Sequence, residues 1–215
     1  MSAHATCVGV LASVLLASSP AWSQPMEHPH PQVEASPWSL GGSLSWYFVH
    51  DRQNFGVVTA TADHGPVHVE ARYNYEALKT GSAFVGWNFE FGETVTFGIT
   101  PIVGCMFGDV GGPIVGLELA IGWGPFSFSS QSEWVNDVQE GTGGFIYVWS
   151  EADVRPWQWI RAGVVVQRTR VFRTSREVVF GPLLGVSVWK LDLTAYWFQP
   201  GGIDELFVAA LGFSF

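Results

Sequence analysis

The sequence predicts an all-β fold, an antiparallel transmembrane β-barrel of about 12 strands (10 or 14 as alternatives) whose first strand closes against its last. Three observations carry this. From Pro37 onward, apolar and polar residues alternate with the period of two that a strand requires. The chain is 47% hydrophobic and 13% charged, yet beyond its amino-terminal segment it has no run of about 18 uncharged apolar residues, which a spanning helix needs. The last stretch, Leu206 to Phe215, puts Phe207, Ala209, Leu211, Phe213 and Phe215 on one face and Val208, Ala210, Gly212 and Ser214 on the other.

Residues 1–23 read as a signal peptide. Val8 to Ala17 forms a short apolar core, and Ala21-Trp22-Ser23 supplies small residues where a peptidase cleaves. Its opening carries His4 but no Lys or Arg. Export near Ser23 removes Cys7 and leaves Cys105 alone, so neither a disulfide nor a cysteine zinc site is expected. Residues 24–36 form a polar, proline-containing lead-in, and His28 and His30 within it are read as tail residues rather than metal ligands. The barrel takes residues 37–215.

The formal charge of -9 excludes the basic footprint of a nucleic-acid partner. Phosphate loops, zinc signatures and nucleotide fingerprints are absent from the sequence. The expected cofactor and metal complement is therefore none.

Candidate strands lie near residues 38–49, 54–63, 66–76, 82–91, 94–106, 113–122, 125–135, 144–154, 158–169, 177–188, 190–198 and 206–215. Connections alternate in length. Asp63 to Pro66, Gly92-Glu93, Gly122 to Pro125, Arg155-Pro156 and Trp189-Lys190 are tight, whereas those after the odd-numbered strands tend to be longer. Short periplasmic turns and longer outside loops would follow from a carboxy terminus on the periplasmic side.

The third candidate strand places Val67, Val69, Ala71, Tyr73 and Tyr75 against His68, Glu70, Arg72, Asn74 and Glu76. Trp123, Trp157, Trp159 and Trp189 fall at tight turns, and Trp46, Phe48, Trp134 and Trp197 toward the opposite rim, the arrangement of two interfacial aromatic girdles.

Carried around the barrel, the alternation assigns to the lumen a charged set of His68, Glu70, Arg72, Glu90, Glu118, Glu133, Glu151, Asp153, Arg155, Arg161 and Asp192, with the aromatics Tyr147 and Trp149. Buried charges must be paired or wet. Either the acids and arginines lock into a network that plugs the barrel, or water fills it and the acidic surplus favours cations. Tyr147, Trp149, Glu151, Asp153 and Arg155 could form a constriction for a sugar or nucleoside, or Glu151 and Asp153 simply pair with Arg155 and Arg161 across the hairpin.

The terminal alternation ending in Phe215 resembles the carboxy-terminal insertion signal of bacterial outer-membrane β-barrel proteins, with Phe207, Leu211, Phe213 and Phe215 as its anchors. The resemblance implies an outer-membrane location, with lipid, lipopolysaccharide and the barrel assembly machinery as partners. Arg168, Arg170, Arg173 and Arg176 cluster at one outside loop and suit lipopolysaccharide phosphates. The expected function is a narrow, weakly cation-favouring channel for small solutes. The alternatives are a plugged structural or interaction barrel and, third, an outer-membrane lipid hydrolase. Small channels for acidic sugars are resembled poorly, because this lumen is acidic, and nucleoside channels somewhat better. No serine and asparagine beside His50, His64 or His68 resemble the motif of the twelve-stranded phospholipases, so an enzyme is not expected.

Overall fold

The computed structural model describes residues 38–49, 53–136, 138, 144–171, 177–202 and 205–215. The expected signal peptide and lead-in lie outside them. The described residues form β1 (Ser39–Val49), β2 (Phe55–His64), β3 (Val67–Tyr73), β4 (Thr80–Trp87), β5 (Phe89–Phe91), β6 (Val95–Gly108) and β7 (Gly112–Trp123). They continue with β8 (Phe126–Val135), β9 (Phe145–Trp157), β10 (Ile160–Val171), β11 (Glu177–Val188), β12 (Leu191–Phe198) and β13 (Leu206–Ser214).

Antiparallel pairing runs between neighbours around the whole ring, and it closes between β1 and β13 from Gly41↔Ser214 to Val49↔Leu206. Backbone bonds between Leu40 and Phe215, at 3.1 and 2.9 Å, extend that seam. Twelve strands make the ring, because β4 pairs directly with β6. The expected fourth strand is interrupted at Asn88, and β5 continues past it against β6 in unbroken register, outside the closed ring. Closure removes the unpaired edges that an open sheet would expose.

Outward residues are apolar along the wall, among them Val103, Leu184, Val164 and Leu193, each more than half exposed. Inward residues are mostly covered. The ring therefore presents hydrocarbon outside and polar groups inside, which is the architecture of an outer-membrane β-barrel. The aromatic residues at both rims are also exposed, from Trp157 and Trp159 at the tight turns to Trp46 and Trp197 at the other end.

Tight turns lie at residues 65–66, 92–94, 124–125, 158–159 and 189–190, and the described connections at residues 74–79 and 109–111 lie at the opposite end. Gly65 and Gly124 each adopt a φ of 55° before a proline. A hairpin turn with a left-handed first position suits the right-handed twist of its strands, and glycine takes that φ freely. Trp189 holds the equivalent position at φ 58° without glycine's freedom.

Two local expectations are corrected. The tight turn expected at Arg155-Pro156 lies at residues 158–159, since β9 runs on to Trp157 and a bulge between Ile160 and Ala162 absorbs the extra length. The third strand ends at Tyr73, and Asn74 takes a φ of 60°. Asn74 Nδ2 donates to the Gly56 carbonyl at 2.9 Å, and its Oδ1 accepts from the Lys79 amide at 2.7 Å. That kink breaks the alternation and turns Tyr75 inward, not outward with Val67 and Tyr73.

Candidate functional site

The lumen divides into a sealed half and an open half. Toward the longer loops, Tyr47, Val57, Val165, Leu183, Tyr196, Phe198 and Val208 form one buried cluster, and Phe84, Ile102, Met106, Ile114 and Val135 form another. Tyr75 packs on the first cluster, meets Tyr147 edge-on at 5.3 Å and donates to Gln131 Oε1 at 2.5 Å. A residue just beyond β3 thus contacts β8 and β9 across the lumen. Toward the tight turns the interior opens into a cavity of about 690 Å³, whose mouth includes Gly92, Gly124 and Pro125.

Arg72 sits where the two halves meet. Its side chain has 0% exposure. Nη1 donates to Glu76 at 3.1 Å and to Glu133, and Nη2 donates to Glu70 at 2.6 Å. Glu118 Oε1 lies 3.6 Å from Nη2. The guanidinium carbon stands 4.6 Å from the Tyr75 ring centroid and 4.4 Å from that of Phe84, within cation–π range. Glu118 also accepts from Gln131 Nε2 at 2.5 Å, and Ser82 Oγ donates to Glu76 at 2.8 Å. Nearer the open end, His68 Nδ1 bonds Asp63 Oδ1 at 2.8 Å.

Arg161 organises a second cluster on the cavity wall. It donates to Glu151 at 2.7 Å and Thr194 at 2.8 Å, with Asp153 at 3.4 Å and Asp192 at 3.8 Å. Trp149 Nε1 and the Tyr196 hydroxyl each donate to Glu151 Oε1 at 2.8 Å. Arg155 lies 3.8 Å from Asp153, and Glu90 stands exposed at the cavity mouth, apart from both clusters. The charged residues named from sequence thus fall into two groups with Glu90 outside both.

A rule of packing joins these clusters to the ladder. His68 pairs across the sheet with Gly86, Glu133 with Gly116, and Arg161 with Gly185. Asp153 likewise faces Gly163, and Asp192 faces Gly212. A Cβ at Gly116 would approach Glu133 Cγ to 3.0 Å, and one at Gly185 would meet Arg161 Cγ at 2.7 Å. Small residues opposite large ones let a narrow barrel hold long charged side chains inside.

Sequence reasoning missed Asp63, Tyr75 and Glu76 as members of the network. Glu76 was legible on the Glu70 face, whereas Tyr75 depends on the Asn74 kink. Arg168 lies near the long-loop end of β10, while Arg173 and Arg176 and the Arg170 side chain lie outside what is described. Phe207 and Phe215 are exposed on the outer face, and Leu211 and Phe213 are part-covered there.

No protein-family model and no curated protein matches the chain. Among solved structures, the outer membrane protein opdK of Pseudomonas aeruginosa aligns with TM-score 0.46 and 10% identity over 85% of this chain and 68% of that one. OccK5 (OpdH) of the same organism gives 0.44 and 8%, over 85% and 67%. Omp33 of Acinetobacter baumannii gives 0.43 and 10%, over 83% and 98%.

Proposed function

We propose that the protein is a bacterial outer-membrane barrel of the channel type, closed in this conformation, whose acidic cup admits small cations and cationic solutes. One observation carries the reading. A cavity of about 690 Å³, lined by Asp63, Glu70, Glu118, Glu151, Asp153 and Asp192, penetrates from one end and stops at the sealed layer around Arg72 and Tyr75. Short turns face the periplasm in such barrels, so the cup opens inward to the cell. Acidic linings favour cations over anions. Contact between lipopolysaccharide phosphates and Arg168, Arg170, Arg173 and Arg176 belongs to the same proposal.

Recording in planar bilayers tests it. Wild type should conduct rarely, Tyr75→Ala should raise the open fraction at least tenfold, and Glu118→Gln should lower cation preference. The second reading, a permanently plugged structural barrel, is favoured by Ile114, Val135, Val165 and Phe198, each at 0% exposure. Silence of correctly folded Tyr75→Ala would establish the plug instead of the channel. A lipid hydrolase has less support: a catalytic histidine would need a hydroxyl at His68 Nε2, but that atom has no hydrogen-bond partner and the ring lies inside the barrel.

A further inference from the structure

The floor of the cup holds a donor set that a closed channel does not use. His68 Nδ1 is tied to Asp63, and Asn88 Nδ2 holds the same carboxylate oxygen at 2.7 Å. The Asn88 carbonyl oxygen in turn accepts from Thr100 at 2.7 Å. A histidine whose Nδ1–H donates to an anchored carboxylate presents its Nε2 lone pair in a fixed direction, as metal-binding histidines do. His68 is 6% exposed, and Nε2 is buried without a hydrogen-bond partner. Glu70 Oε2 lies 3.7 Å from it, too far for a hydrogen bond.

Ligand atoms of His68, Glu70 and Glu118 all lie within 4.8 Å of one another. Bonds of about 2.0–2.2 Å around a tetrahedral ion put ligands about 3.3–3.6 Å apart, so closure asks for side-chain movements of about 1 Å. The charge balance agrees. Glu70, Glu76, Glu118 and Glu133 surround the single guanidinium of Arg72, and Asp63 adds a further carboxylate at His68, a surplus of acid that another cation would offset. Arg72 shares Glu70 and Glu118, but Glu76 and Glu133 keep it anchored when those two turn.

We propose that His68 Nε2, Glu70 and Glu118 bind one first-row divalent metal ion, with zinc the best match, at the floor of the cup. One imidazole and two carboxylates suit such an ion better than calcium or magnesium, which take oxygen ligands. The cavity leaves a fourth position for water and gives an entry path, since all three residues line it.

The test uses the full chain, folded in detergent and stripped with chelator, titrated with zinc sulfate by calorimetry and with cobalt(II) as a coloured probe. One ion should bind per chain. His68→Ala and Glu118→Gln should each weaken binding at least tenfold, and His68→Ala should remove the nitrogen-dependent change in the cobalt spectrum. Glu93→Gln, in an exposed turn, should change nothing. Absence of saturable binding, or equal affinity in Glu118→Gln, overturns the proposal. Glu118→Gln decides alone if His68→Ala fails to show the gel mobility of a folded barrel. Conductance plays no part in the readout, so this site and the channel stand or fall separately.

Discussion

Arg72→Met is the sharpest probe of the sealed layer. The substitution keeps most of the side-chain stem but removes the group that bonds Glu70 at 2.6 Å, Glu76 at 3.1 Å and Glu133. It also removes the cation from above Tyr75 and Phe84. Breaking one buried ion pair by deleting a partner costs about 3–5 kcal/mol, because the abandoned charge stays buried. Three carboxylates share this one cation, so their losses overlap and do not add. Cation–π contacts in a dry site contribute up to about 2 kcal/mol more. The expected loss is therefore at least about 3 kcal/mol, roughly a hundredfold in the folding equilibrium. Urea titration of the chain in lipid vesicles, followed by tryptophan emission, measures it. Arg72→Met/Glu133→Gln should recover part of the loss, since one stranded charge is gone. A loss below about 1 kcal/mol, the range of exposed ion pairs, would refute the argument that this layer is dry.

Two further outcomes follow from the outer surface. Val103 points outward from the middle of β6 and is 53% exposed; Val103→Arg should cost about 2–4 kcal/mol in vesicles, the depth-dependent charge penalty near a bilayer midplane. A loss under about 0.5 kcal/mol in the same urea titration would show that this face does not meet lipid. Replacing Arg168, Arg170, Arg173 and Arg176 together with serine should lower the lipopolysaccharide that co-purifies with the barrel; unchanged lipid phosphate per chain would remove the proposed contact.

Much of the wall is legible in the sequence alone. Val67, Val69, Ala71 and Tyr73 against His68, Glu70 and Arg72 identify a strand and its two faces, because a period of two is a local property of the backbone. Gly65-Pro66 and Gly124-Pro125 mark their turns through the φ each demands. The terminal strand from Leu206 names its own outer face and, with β1, the seam that closes the ring.

Tertiary structure alone decided which lumen charges meet. Alternation says that Arg72 and Glu133 both point inward, but carries no information on register or on partners across the lumen. These two are 61 residues apart and meet only when the ring closes. The same holds for the pairing of Glu133 with Gly116 and of Arg161 with Gly185, which makes room for the ions. Tyr75 shows the limit most directly. Its turn into the lumen rests on the bond Asn74 donates to the Gly56 carbonyl and the one it accepts from the Lys79 amide, and so on a fold already assembled. The sequence by itself determined the wall, its faces and its acidic interior; closure of the ring decided that this interior is a cup with a sealed floor, because only closure sets the distances between strands remote in the chain.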